Sequence, residues 1–366
     1  MSLLNLDVSQ CVHTSNKFAT CTQCVEVCPV QTISIAESHI SFTLSECIGC
    51  GGCLAGCPTS AYTLDDFQPI NYLFSFLEAQ RDVLTCKDSV LPCIASLSVE
   101  ELLSIVLLSE HELSLDIAPC TKCDIASTNL AIIKERASEV SFLLEAMMQK
   151  KCLHVKNLDY SYKKEEDGIS RRKLFSKEGA KQVLGIHNQV QNAVKSSDTL
   201  LKIHMPTYKD IVKIREKTLP DRRSLLLMAM KRAKVPEVFH TIAIEDISFI
   251  SQKDLDAATC TNCQMCYRIC PTGALSSDLK GSVINFNPLA CVQCHSCHDV
   301  CEPESLTLRK TFTLQNFFES KMETLVRFSM KRCDECGVLF ASKEGATMCH
   351  RCSIEEEEAR ELWGIK

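Results

Sequence analysis

Apolar residues along this chain come in short runs separated by polar turns, and their spacing divides it into five stretches. In residues 9–68 and 246–310 the runs are brief and lie between cysteine-rich turns punctuated by Cys-Pro. Thr32-Ile33-Ser34-Ile35 and Ser282-Val283-Ile284-Asn285-Phe286 read there as strand pieces leading into the next turn. Residues 70–155 hold longer runs, Ser104-Ile105-Val106-Leu107-Leu108 and Leu130-Ala131-Ile132-Ile133, which alternate with cysteine turns in a βα rhythm. Residues 156–245 are polar and basic and read as a helical linker. Its clearest helix is expected from Arg222 to Lys234, where Leu225, Leu226, Met228 and Met230 flank a basic surface and Asp221 is placed as a cap. Residues 330–353 form a compact module of cysteine pairs, and the run Glu355 to Glu358 marks a solvated helix start. The first and fourth stretches repeat each other, and each is duplicated within itself.

Composition changes the picture at one residue type. The 366 residues include 25 cysteines. Disulfide frameworks belong to small secreted chains, whereas Met1-Ser2-Leu3-Leu4-Asn5-Leu6-Asp7 has no basic leader region and no adjacent apolar run spans a bilayer. A cytoplasmic, reducing location is expected, with thiolates free to bind metal. The formal charge is −6, but residues 161–240 hold 18 Lys or Arg against 9 Asp or Glu, a balance of +9 that leaves −15 elsewhere. Such a basic segment could meet nucleic acid, but it shows no zinc-finger, aromatic-stacking or helix-turn-helix signature. It reads instead as a surface that steers an acidic redox partner, through the Arg222 to Lys234 helix.

The fourth stretch reads Cys260-x2-Cys263-x2-Cys266-x3-Cys270-Pro271, then Cys291-x2-Cys294-x2-Cys297-x3-Cys301. Three close cysteines wrap one face of a cubane, and the fourth crosses to the other cluster. The expected 4Fe-4S sites are Cys260, Cys263, Cys266 with Cys301, and Cys291, Cys294, Cys297 with Cys270. Soft thiolates select such clusters over hard cations. The first stretch has one complete run, Cys47-x2-Cys50-x2-Cys53-x3-Cys57-Pro58, which with Cys28 makes a third site. Its other run, Cys21-x2-Cys24-x3-Cys28-Pro29, has Phe18 where the first cysteine belongs. Cys11 could close a fourth site with Cys21, Cys24 and Cys57, because a longer loop costs little. A 3Fe or solvent-coordinated cluster is the rival. His13 and His295 lie in these loops beside sufficient cysteines and read as bystanders that tune potential. Gly49, Gly51 and Gly52 read as tight-turn glycines and match no phosphate-binding loop.

These eight-cysteine patterns resemble the bacterial two-cluster ferredoxins. The fourth stretch departs from that pattern only where Glu302 follows Cys301 and Pro303 comes one residue late. Between them, Cys86, Cys93, Cys120 and Cys123 follow or end apolar segments, which places both pairs at one end of a small parallel sheet. Leu91-Pro92-Cys93 and Ala118-Pro119-Cys120-Thr121-Lys122-Cys123 resemble the delta subunit of methyl-viologen-reducing hydrogenases, a likeness that implies a 2Fe-2S cluster. Zinc, a redox dithiol or idle thiols remain open. Cys152 reads as a buried small hydrophobe in a helix. The knuckles Cys333-x2-Cys336 and Cys349-x2-Cys352 resemble a zinc ribbon, with rubredoxin-like iron as the alternative.

The expected fold is therefore multidomain α+β: two ferredoxin-like dicluster domains, a small α/β middle domain and a zinc ribbon. No dinucleotide fingerprint, zinc-protease helix or nucleophile elbow is present, so no catalytic residue is assigned. The assembly resembles accessory iron–sulfur subunits of anaerobic formate dehydrogenases or hydrogenases. That likeness implies a non-catalytic electron-transfer subunit with redox-enzyme partners and no direct membrane span. The alternatives are a disulfide or sulfur reductase acting at the middle cysteines, and a structural or maturation factor.

Overall fold

The computed structural model describes residues 3–36, 39–88, 90–158, 160, 202–203, 216–319, 321–342 and 345–364. Most of the basic stretch expected as a linker lies outside them.

The two cysteine-rich stretches fold alike. In the first, Leu4–Leu6 pairs antiparallel with Tyr62–Leu64, and Ile33–Ala36 pairs with His39–Phe42. In the second, Lys253–Leu255 pairs with Leu306–Leu308, and Leu275–Ser277 with Val283–Phe286. Each outer ladder ties the two ends of a lobe together around its cysteine turns. The internal duplication is visible in the backbone. The residue three beyond each fourth cysteine (Gln31, Ser60, Gly273 and Glu304) is left-handed. Its N–H returns to that cysteine's carbonyl, at 3.2 Å for Cys28, 3.2 Å for Cys57, 3.4 Å for Cys270 and 2.9 Å for Cys301. Proline suits the position after the first residue of such a turn. The same turn forms with Glu302 there, so the departure in the sequence changes no ligand position.

Between the lobes lies a three-stranded parallel sheet in the order Val83–Leu84, Leu113–Asp116, Leu153–Lys156. Parallel neighbours need crossovers, here the helices Val99–Leu108 and Ala126–Ala146. Both apolar runs singled out in the sequence are helical. Ser98 starts the first helix with a capping box: its hydroxyl accepts from the Glu101 N–H at 3.3 Å, and the Glu101 carboxylate accepts from the Ser98 N–H at 2.7 Å. Asp116, fully buried, joins all three strand ends. It accepts from Ala118 N–H and Leu158 N–H at 3.0 Å each, from Tyr160 N–H at 2.9 Å and from the Thr85 hydroxyl at 3.4 Å. Cys152 is exposed, directly before the third strand, which corrects its reading as a buried helical residue.

The helix expected from Arg222 to Lys234 spans Asp221–Arg232 and packs against Val99–Leu108. Leu225, Leu226, Ala229 and Met230 join one core with the first lobe and the middle sheet, while the second lobe has a core of its own. Asp221 is the first helical residue after Pro220 and makes no side-chain cap. Arg222 and Arg223 are buried, which corrects their reading as a docking surface. Toward the C-terminus, Glu323–Arg327 extends the second lobe's sheet, and Met330–Arg332 pairs with Leu339–Ala341. The final helix, His350–Trp363, begins straight after Cys349, so Glu355 to Glu358 fall inside it, where Glu355 and Glu356 pair with Arg351 and Arg360.

Candidate iron–sulfur and zinc centres

The folded chain gathers its thiols into sets. One cavity of the second lobe is lined by Cys260, Cys263, Cys266 and Cys301 with Leu255, Ile284 and Leu306. Another is lined by Cys270, Cys291, Cys294 and Cys297 with Leu275, Phe286 and Val292. In the first lobe, Cys28, Cys47, Cys50 and Cys53 line a third with Leu4, Ile33 and Leu64. Cys11 lies near Cys57, Cys24 and Cys21: burial pushes its thiol up to about 12, and those three neighbours add to the rise. The displaced cysteine and the three left without a partner in the sequence thus meet.

The local backbone serves these sets repeatedly. In the three complete runs the residues on either side of the middle cysteine are left-handed: Gly49 and Gly51, Asn262 and Gln264, Gln293 and His295. The turn aims N–H groups at sulfur, from Gly52 to Cys50 and from Ser296 to Cys294. Further donors reach the fourth cysteines and their neighbours. Ala61 N–H lies 3.3 Å from Cys57 Sγ, the Thr32 hydroxyl 3.5 Å from Cys28 Sγ, and the Ser251 hydroxyl 3.2 Å from Cys291 Sγ. Lys253, only 2% exposed, reaches both Cys297 and the His298 ring, with Nζ 2.8 Å from Nε2. Without a cluster these thiols stay protonated: burial drives Cys266 and Cys297 to about 12 and Cys24 to about 11. Cubane binding therefore releases protons. Four sulfurs, aliphatic walls and N–H donors in each cavity fit an iron–sulfur cluster and offer nothing to a hard cation. His13 holds the Cys21 carbonyl at 2.7 Å through Nε2, and the burial of His295 lowers its pKa.

The middle cysteines also converge. Cys86 follows the first parallel strand, and Cys120 and Cys123 follow the second. Burial raises Cys120 to about 11, with contributions from Cys86, Cys93 and Cys123. Arg136 pins the Cys93 turn by donating to Ala95 O at 2.7 Å and Leu97 O at 2.9 Å. At the C-terminus the four sulfurs of Cys333, Cys336, Cys349 and Cys352 all lie within 4.8 Å of one another, with Cys336 and Cys349 Sγ 3.8 Å apart. Tetrahedral zinc with bonds of about 2.3 Å sets its sulfurs about 3.8 Å apart, so the cluster has zinc-site dimensions. Backbone N–H groups from Cys336 and Cys349 hold Cys333 down to about 6.

The units meet through buried polar groups that the sequence did not reveal. Arg222 donates to Ala55 O at 3.0 Å and Cys57 O at 2.6 Å in the first lobe. Arg223 donates to Phe249 O at 2.6 Å, Leu289 O at 2.6 Å and Cys291 O at 2.8 Å, all within residues 246–310. Both pair with Glu100 of the middle unit, through its Oε2 at 2.9 Å and Oε1 at 2.5 Å. Asn16 Nδ2 donates to Ser296 Oγ at 3.1 Å, and the Thr20 hydroxyl to Asp299 Oδ1 at 2.9 Å, joining the lobes directly. No helix among the described residues is long and apolar enough to cross a membrane.

Residues 19–62 and 253–302 each match a 4Fe-4S dicluster domain. A "Ferredoxin 7Fe" of Hydrogenibacillus schlegelii is 42% identical over 59 residues, covering 16% of this chain and 74% of that protein. No solved structure matches the chain. It is an iron–sulfur protein with a C-terminal cysteine cluster of zinc-binding type. The chain belongs to the ferredoxins, whose dicluster domain it carries twice.

Proposed function

We propose that this chain is an electron-transfer subunit whose centres form one unbranched series. When bound, such clusters take up and release single electrons. The proposed order begins at Cys86, Cys93, Cys120 and Cys123, holding a 2Fe-2S cluster. Three 4Fe-4S sites follow: Cys28, Cys47, Cys50 and Cys53; then Cys11, Cys21, Cys24 and Cys57; then Cys270, Cys291, Cys294 and Cys297. Cys260, Cys263, Cys266 and Cys301 end the series, and the C-terminal cysteines hold structural zinc.

The observation that carries this reading is that consecutive sets lie close enough to influence one another. Cys93 lies near enough to raise the pKa of Cys50, Cys24 that of Cys53, and Cys297 that of Cys266. The Asn16 and Ser296 contact closes the one remaining gap, between the lobes. A scaffold has no need of such an order. The partner proposed is a redox enzyme of the formate dehydrogenase or hydrogenase type. The test is anaerobic isolation of the tagged full chain from its source. Co-elution with such an enzyme, and reduction of the clusters when the enzyme's substrate is added, is expected. A chain that elutes alone, with clusters that no such enzyme reduces, contradicts the reading.

A further inference from the structure

We infer that Asn129 is a shared hydrogen-bond donor that sets the potentials of two centres at once and couples the first lobe to the middle cysteines. The inference rests on the proposed series of centres and deepens its first step.

Asn129 lies in the first turn of the Ala126–Ala146 helix and is 1% exposed. Its Nδ2 donates to Cys93 Sγ at 3.5 Å, and its Oδ1 is buried without a partner. A buried amide with an orphaned oxygen is costly unless its N–H groups are well used. An amide NH2 has two donors, which leaves one available to a second sulfur. The Cys50 thiol lies close by: the Asn129 amide lowers its pKa and the neighbouring Cys93 thiol raises it.

The backbone brings the two loops together at the same place. Gly51, next to Cys50, is left-handed at φ +74°. A Cβ there would lie 2.7 Å from the Ser96 Cβ and 3.6 Å from Pro92 Cγ, the residues that flank the Cys93 turn. In the second lobe the equivalent left-handed positions are held by Gln264 and His295. The turn geometry therefore tolerates a side chain, and glycine at 51 answers to the approach of the middle unit. The first lobe's loop is built to touch the Cys93 turn, and Asn129 lies at the point of contact.

Donation to a cysteine sulfur favours the more negative, reduced cluster and raises its potential. Losing Asn129 should then lower both centres together. The experiment is an EPR-monitored redox titration of the full chain, isolated anaerobically, for the unmodified protein and for Asn129→Leu and Asn129→Asp. Leu and Asp keep the branched shape of the side chain. An ionised Asp donates nothing and adds negative charge beside both sulfurs. The expected result is a negative shift of two midpoints, that of one cubane and that of the middle centre, larger for Asp than for Leu. The three remaining cubanes keep their midpoints and the iron content stays the same. A purely structural Asn129 predicts that the Leu variant, which removes the donor and adds no charge, keeps both midpoints. A shift in only one centre, or in neither, overturns the inference while the series of centres stands. If the unmodified protein shows no middle redox centre at all, the proposed first step fails at that stage, and the inference falls with it. Gly51→Ala supplies an independent check. Pushing the loops apart should reduce the spin–spin broadening between the same two reduced centres, and unchanged broadening counts against the coupling.

Discussion

Replacing Arg223 with methionine removes one guanidinium and keeps most of its stem volume, so the loss should come from polar groups rather than from a cavity. Arg223 is fully buried and bonds Glu100 and three backbone carbonyls, two of which, Leu289 and Cys291, lie at the loop of a proposed cubane site. Breaking a buried pair by removing one partner costs about 3–5 kcal/mol. Each orphaned carbonyl adds about 1–3 kcal/mol where no water replaces the donor. Glu100 keeps Arg222 at 2.9 Å, which limits the total. A net loss of about 5 kcal/mol is a sensible working figure, within the range of a whole domain's stability. Unfolding of so many units has no single free energy, so the effect is best read locally, by anaerobic hydrogen exchange of peptides around 286–292. At tenfold per 1.4 kcal/mol, exchange there should accelerate roughly four-thousandfold, while peptides around 54–57 stay protected. Arg222→Met should give the reverse pattern, because its carbonyl partners are Ala55 and Cys57. Exchange within threefold of the unmodified protein, or the same peptides released by both variants, would refute the view that these arginines clamp separate lobes.

Three other outcomes follow from the same geometry. Cys11→Ala should lose or convert one cubane, seen as lower iron and sulfide, while the cluster at Cys28, Cys47, Cys50 and Cys53 persists; unchanged EPR spectra would show that another ligand closes that site. Lys253→Met removes a cation that is only 2% exposed beside Cys297 and should lower that cluster's midpoint, with no change at the first lobe. A zinc chelator should release proteolysis at residues 330–353 without bleaching the iron–sulfur absorbance, since so small a module lacks a core of its own; a ribbon that resists cleavage after chelation contradicts that.

The cysteine sets were legible because their spacing follows the chemistry: three cysteines at a three-residue period can wrap one face of a cubane. The fold brings Cys11 near Cys21, Cys24 and Cys57, the thiols that counting leaves without a partner. The middle cysteines could be placed at strand ends by their apolar lead-ins. The sequence could not say which apolar runs were helices, although Ser98 and Glu101 carried a capping-box signal for one of them. Arg222 and Arg223 were misread as solvated because a guanidinium's burial depends on carbonyls from three distant segments, and local sequence looks the same either way. Asn16 and Ser296 stand 280 residues apart, and no periodicity links such a pair. The clamp and the junctions between centres emerge only once the chain is folded.

The central claim, that this chain carries one series of iron–sulfur centres through both lobes and the middle unit, is tested most directly by Mössbauer spectroscopy with iron analysis of anaerobic, 57Fe-labelled full-length protein. The account predicts about 18 Fe per chain, with about 16 in cubane environments and about two in a 2Fe-2S environment. A reproducible value near eight, in cubane environments alone, would contradict it.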